Sequence, residues 1–161
     1  MMAGPMSPES PMRRAIALSR ERMRAGDGGP FGAVIVRDGA IVAEGWNQVV
    51  CANDPTAHAE VVAIRRACVA LGRFELHDCE IYTSCEPCPM CLAAIYWARL
   101  ARICYAADRT DAAASGFDDA LLYQEIALPI EQRRIPTTRM LAGEAREAFA
   151  EWGRKADKVP Y

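Results

Sequence analysis

Two short stretches of this chain hold residues that bind metal and move protons. One is Thr56-Ala57-His58-Ala59-Glu60, and the other is Ser84-Cys85-Glu86-Pro87-Cys88-Pro89-Met90-Cys91. Each opens a segment of helical character. Val61, Ile64, Cys68 and Leu71 continue the first as an apolar face, and Pro87 and Pro89 flank the start of the second. Cysteines three apart on a first helical turn share one face, where the positive end of the helix dipole favours the metal-binding thiolate. His58 adds a nitrogen, and a His-Cys-Cys set leaves the fourth position of a tetrahedral zinc ion open. An open position marks a catalytic site, in which bound zinc lowers the pKa of a water toward about 7. Glu60, two residues from His58, cannot share its face on an ideal helix. It is therefore expected to face the substrate, taking a proton from the water and handing it on to the reacting group.

Other chemistry is open to the same residues. Cys85, Cys88, Cys91 and His58 would make a closed structural tetrahedron, although Cys85 precedes Pro87 and Glu60 is then idle. An iron–sulfur site lacks a well-spaced fourth cysteine. Cys51, Cys68, Cys79 and Cys104 read as packing residues in apolar surroundings, and His77, beside Asp78, reads as surface. Seven cysteines is an odd number for a disulfide scaffold, and no secretory leader or long apolar span is evident. A cytoplasmic protein with reduced or metal-bound thiols is expected.

The 161 residues, 52% hydrophobic and 25% charged, are enough for one globular domain and argue against disorder, collagen and coiled coil. Nineteen basic residues against 21 acidic ones leave no basic excess for gripping nucleic acid. Residues 1–10 are expected to be disordered and 11–161 to form a single domain. A helix from Ser10-Pro11 stops at Gly26–Pro30. Two β-rich runs, 31–37 and 40–46, flank Asp38-Gly39, a strong hairpin signal. A helix ending at Gly72, a strand over 79–83, the helix from Cys88 to about Arg99 and a strand over 100–106 follow. Then come a short helix ending at Ile126, an irregular or β-like stretch over 129–139 and a last helix over 143–152. This order predicts an α/β fold with a mixed sheet and helices on both faces.

The His-x-Glu and Pro-Cys-x-x-Cys pair is the signature of zinc nucleobase deaminases. Together with Phe31-Gly-Ala-Val-Ile-Val, Gly45-Trp46-Asn47 and Asp54-Pro55-Thr56, it resembles the cytidine-deaminase-like superfamily. Thr83-Ser84-Cys85-Glu86, Gly116-Phe117-Asp118-Asp119 and the terminal Tyr161 are similar to the small bacterial guanine deaminases within it. The resemblance implies a three-layer α/β/α sandwich with a mixed central sheet, Zn²⁺ on His58, Cys88 and Cys91, and catalytic Glu60. The implied reaction is hydrolysis of guanine to xanthine and ammonia by zinc-bound hydroxide at C2. Asn47 and the backbone around Ala59 would hydrogen-bond the base, and Phe31 and Trp97 would wall it. Asp119 would bind it or shuttle a proton, and Tyr161 would close a lid formed by about 143–161. A homodimer is implied, in the family often with exchanged C-terminal segments, and no nucleic-acid or membrane partner. Phe31 and Trp97 read equally as core, and Asp119 as a helix cap. The tRNA-adenosine deaminase branch shares both motifs, and deamination of guanosine, ammeline or cytosine, or a non-catalytic zinc module, are the further alternatives.

Overall fold

The computed structural model describes residues 9–161. The expected disorder of residues 1–8 lies outside them, while Glu9 and Ser10 already belong to helix α1, Glu9–Ala25. Asp38 and Gly39 both take positive φ, 50° and 74°, and form the tight turn between β1, Gly32–Arg37, and β2, Ala40–Trp46. A short helix, α2 (Val49–Ala52), which sequence reading did not foresee, separates this hairpin from α3, Ala59–Leu71. Strand β3, Cys79–Cys85, runs two residues beyond its expected end and leads into α4, Pro89–Trp97, and β4, Arg102–Ala107. Helix α5, Arg109–Ala114, also unforeseen, carries an Asp108–Asp111 capping box.

The strands form one mixed sheet in the order β2-β1-β3-β4. β1 is antiparallel to both neighbours, and β3 pairs in parallel with β4 through the α4 crossover. β1 is apolar without alternation because both of its faces are covered. Val34 and Val36 pack with Ala15 and Leu18 of α1, whereas Ala33 and Ile35 pack with Ala59, Ala63 and Ala67 of α3 and Ile95 of α4. Helices thus lie on both faces, as the sandwich requires. Gly45 lets α3 come close: a Cβ there would stand 2.2 Å from the Ala59 carbonyl oxygen. The sheet therefore holds the start of α3 against β2, next to His58.

Asp119 closes a first compact unit, and residues 120–161 form a second. The second contains α6, Ala120–Ala127, a 3-10 turn at Ile130–Gln132 and α7, Ala142–Arg154. The stretch 129–139 holds no strand. Arg133 instead donates to the carbonyls of Leu128 and Ile126, and the Arg134 N–H to the Glu125 carboxylate, so this segment satisfies the end of α6.

Candidate metal and catalytic centre

His58 and Cys88 occupy equivalent places, the N-caps of α3 and α4, both in extended backbone and neither using its side chain to cap. The lead-in to His58 is a turn in which Asp54 accepts from the Thr56 N–H and hydroxyl at 2.8 and 2.7 Å. The lead-in to Cys88 is tied down by the Ser84 hydroxyl, which accepts the Gly32 N–H at 3.0 Å, and by the Glu86 N–H, which donates to Ala107. Pro89 then starts α4 at the position where a missing N–H costs nothing.

These two ends bring three donors together. His58 Nδ1 stands 3.6 Å from Cys88 Sγ and 3.5 Å from Cys91 Sγ, and all three ligand atoms lie within 4.8 Å of one another. Zinc–sulfur bonds of about 2.3 Å and zinc–nitrogen bonds of about 2.0 Å at the tetrahedral angle put N and S about 3.5 Å apart. The donor set therefore fits zinc in both type and spacing. Cys85 is not part of it: its thiol donates to the Asp108 carbonyl at 3.6 Å. A closed four-ligand site is thus not what this geometry presents.

The charges follow from that proximity. The hydrogen bond from Cys91, aided by His58, pulls Cys88 down to about 4 against the opposing effect of burial. The same bond to Cys88, with burial, pushes the Cys91 thiol far up. His58 is raised, chiefly by its bond to Cys88. The Glu60 side chain, only 7% exposed, is raised by burial and then by the Cys88 charge, while its hydrogen bond to Cys91 works the other way. A buried carboxyl beside a metal-type donor set, with raised proton affinity, is suited to carrying protons.

The other expected site residues are distributed less evenly. Asn47 is buried, and its Oδ1 accepts the N–H groups of Gly29 and Val49, both at 3.3 Å. Ala59 is buried in the first turn of α3. Phe31 is half-buried and meets Phe117 edge to face, with ring centroids 4.9 Å apart. Asp119 is raised by burial and by the charge of Cys88. Trp97, at the last turn of α4, is 70% exposed within this chain and is not core. Tyr161 belongs to the second unit, 74% exposed, beside Phe149 and Trp152. His77 is exposed as expected, but Cys51 is exposed rather than packed, its thiol donating to the carbonyl of Gln48, the N-cap of α2. Sequence reading assigned no role to Phe117 or Arg109. The first packs on Phe31, and the Arg109 N–H donates to Glu86; the Gly116–Asp119 motif hinted at Phe117, and no sequence signal pointed to Arg109.

A mixed sheet flanked by helices, with a His-Cys-Cys donor set on two helix starts and a buried glutamate beside it, defines a zinc-dependent deaminase fold. The family model of the cytidine and deoxycytidylate deaminase zinc-binding region matches residues 6–107, and the chain belongs to that family. It is 56% identical to the guanine deaminase of Bacillus subtilis over 156 residues, covering 97% of this chain and 100% of that one. The X-ray structure of Bacillus subtilis guanine deaminase superposes with a TM-score of 0.94, over 97% of this chain and 99% of that one. A guanine deaminase structure from Nitrosomonas europaea gives a TM-score of 0.67 at 36% identity, covering 71% and 66%. A tRNA-specific adenosine deaminase of Agrobacterium fabrum is 49% identical over 78 residues, 48% of this chain and 51% of that one.

Proposed function

We propose that this chain hydrolyses guanine to xanthine and ammonia. The observation that carries the reading is the extent of the likeness to the Bacillus subtilis guanine deaminase, 97% of this chain, against 48% for the adenosine deaminase of Agrobacterium fabrum. His58 Nδ1 and the sulfurs of Cys88 and Cys91 would hold zinc, which, when bound, supplies the Lewis acidity that makes water a nucleophile near neutral pH. Glu60 takes a proton from the attacking water and gives it to a ring nitrogen beside C2. It then takes the proton of the hydroxyl newly added at C2 and delivers it to the exocyclic nitrogen, so that the oxygen stays on C2 as a carbonyl, the C2–amine bond breaks and ammonia is released. The Asn47 amide and the backbone at Ala59 hydrogen-bond the base, and Phe31 and Trp97 wall it. Asp119, whose raised proton affinity suits a second carrier, assists at the leaving group, and Tyr161 covers the base.

A homodimer that exchanges its C-terminal segments is part of the same reading, supported by the exposed Phe149, Trp152 and Tyr161 of the second unit. Seven free thiols fit a cytoplasmic setting. Among the described residues no helix is long and apolar enough to cross a membrane. The test is ammonia release by zinc-replete protein from guanine, guanosine, adenine, cytosine, cytidine and ammeline. Selective release from guanine supports the reading, and preferred release from any other member overturns it.

A further inference from the structure

The Asn47 amide is held by a close approach that only glycine permits. A Cβ on Gly28 would lie 2.4 Å from the Asn47 carbonyl oxygen and 2.6 Å from its Oδ1. Gly28 does not adopt the left-handed backbone, so the main chain would accept another residue; it is the side chain for which there is no room. Gly29 continues the grip by donating its N–H to Oδ1, which also takes the Val49 N–H. Two backbone donors on one oxygen settle which end of the amide is which. The amide oxygen is thereby engaged, and the NH₂ makes no hydrogen bond among the described residues. The Asn47 main chain is equally tied: its N–H donates to Phe31, and the Gln48 N–H donates to Ala57, next to His58.

We infer that Gly28 is a positioning residue that acts through Asn47, locking its amide so that the site offers the base a hydrogen-bond donor and not an acceptor. The inference rests on the guanine reading above and deepens it. An edge carrying a carbonyl oxygen or an unprotonated ring nitrogen satisfies the NH₂. An edge carrying an amino group or a ring N–H meets two donors face to face, and a flip of the amide to accommodate it would break both bonds to Oδ1. Alanine at 28 has to displace Asn47, so the loss should appear in recognition of the base, away from the metal.

The experiment compares zinc-loaded wild type, Gly28→Ala, Asn47→Ala and the double variant in steady-state kinetics on guanine, with zinc content measured for each. Loss of one such hydrogen bond is expected to raise KM about tenfold. The account expects this for Gly28→Ala with kcat changed less and zinc retained, and no further rise when the change is made in the Asn47→Ala background. A wild-type KM for Gly28→Ala, or an equal loss in both backgrounds, would overturn it. If Gly28→Ala does not fold, nitrogen-15 spectra of the wild type decide. The side-chain NH₂ pair, assigned by its disappearance in Asn47→Asp, should be sharp and should shift on adding xanthine; an averaged or unmoved pair refutes the locked donor. If the wild type turns over another base of the panel, the guanine reading falls, while the same KM comparison on that base still decides the role of Gly28.

Discussion

His58 Nδ1 lies 3.5 Å from the sulfur of Cys91, a residue 33 positions further along the chain and on a different helix. Nothing local enforces this contact. It exists because α3 is pressed on β2 at Gly45 and because β3 delivers Cys88 to the start of α4. A metal site assembled from two helix starts in this way is formed by the folded sheet, so its protonation state before metal uptake is a property of the fold.

That state makes a prediction. Cys88, pulled down to about 4, is already a thiolate at neutral pH, while Cys91 keeps its proton and His58 is raised. Zinc binds only deprotonated donors, so its uptake at neutral pH should release the proton that Cys91 keeps. Below the raised His58 pKa a second proton must leave, so zinc affinity should fall as pH is lowered. Calorimetric zinc titration in buffers of different ionisation enthalpy measures the release directly. Uptake without proton release would contradict this charge assignment.

Cys85 offers a separate check on ligand count. Its thiol faces the Asp108 carbonyl, and burial pushes its pKa up to about 11. A serine hydroxyl can make the same donation. Cys85→Ser should therefore retain stoichiometric zinc, whereas Cys91→Ser should lose affinity sharply. Metal analysis after dialysis reads both, and zinc loss from Cys85→Ser would revive the closed four-ligand site.

Away from the site, Trp46 carries a guanidinium over its ring from each of two helices. Arg22 of α1 lies 4.0 Å from the ring centroid and Arg66 of α3 lies 4.2 Å. The Arg66 guanidinium also donates to the Glu44 carbonyl, and Arg14 pairs with the Glu44 carboxylate through two bonds. Each cation–π contact at a partly exposed site contributes about 0.5–1 kcal/mol. Trp46→Leu should destabilise the zinc-loaded protein by about 1–2 kcal/mol in denaturant unfolding, with zinc content unchanged. A change below about 0.3 kcal/mol would show that the stack contributes nothing measurable.

Local chemistry carried much of this structure in the sequence. Asp38-Gly39 announced the hairpin because its turn needs two positive φ values, and His58-x-Glu60 with Cys88-x-x-Cys91 announced the donor set because ligand spacing on a helix start is short-range. What failed depended on distant partners. The α2 turn at Val49 arises from contacts of the chain between Asn47 and Ala57, and its four residues are too short for any apolar period. Cys51 looked like packing but lies exposed on that turn. The stretch 129–139 is rich enough in extended-type residues to suggest a strand, yet arginine side chains use it to close α6. The strict need for glycine at 28 is visible only once Asn47, 19 positions away, is seen against it.

Glu60→Gln tests the central claim most directly. The substitution keeps the volume and one hydrogen-bonding oxygen but removes the ability to take and return a proton. With zinc content and unfolding midpoint compared in parallel, kcat for guanine should fall about 10²- to 10⁴-fold while zinc stays stoichiometric. A zinc-replete Glu60→Gln that turns over guanine at close to the wild-type rate would contradict the account, because no proton carrier would then be needed at the one buried carboxyl beside His58, Cys88 and Cys91 among the described residues.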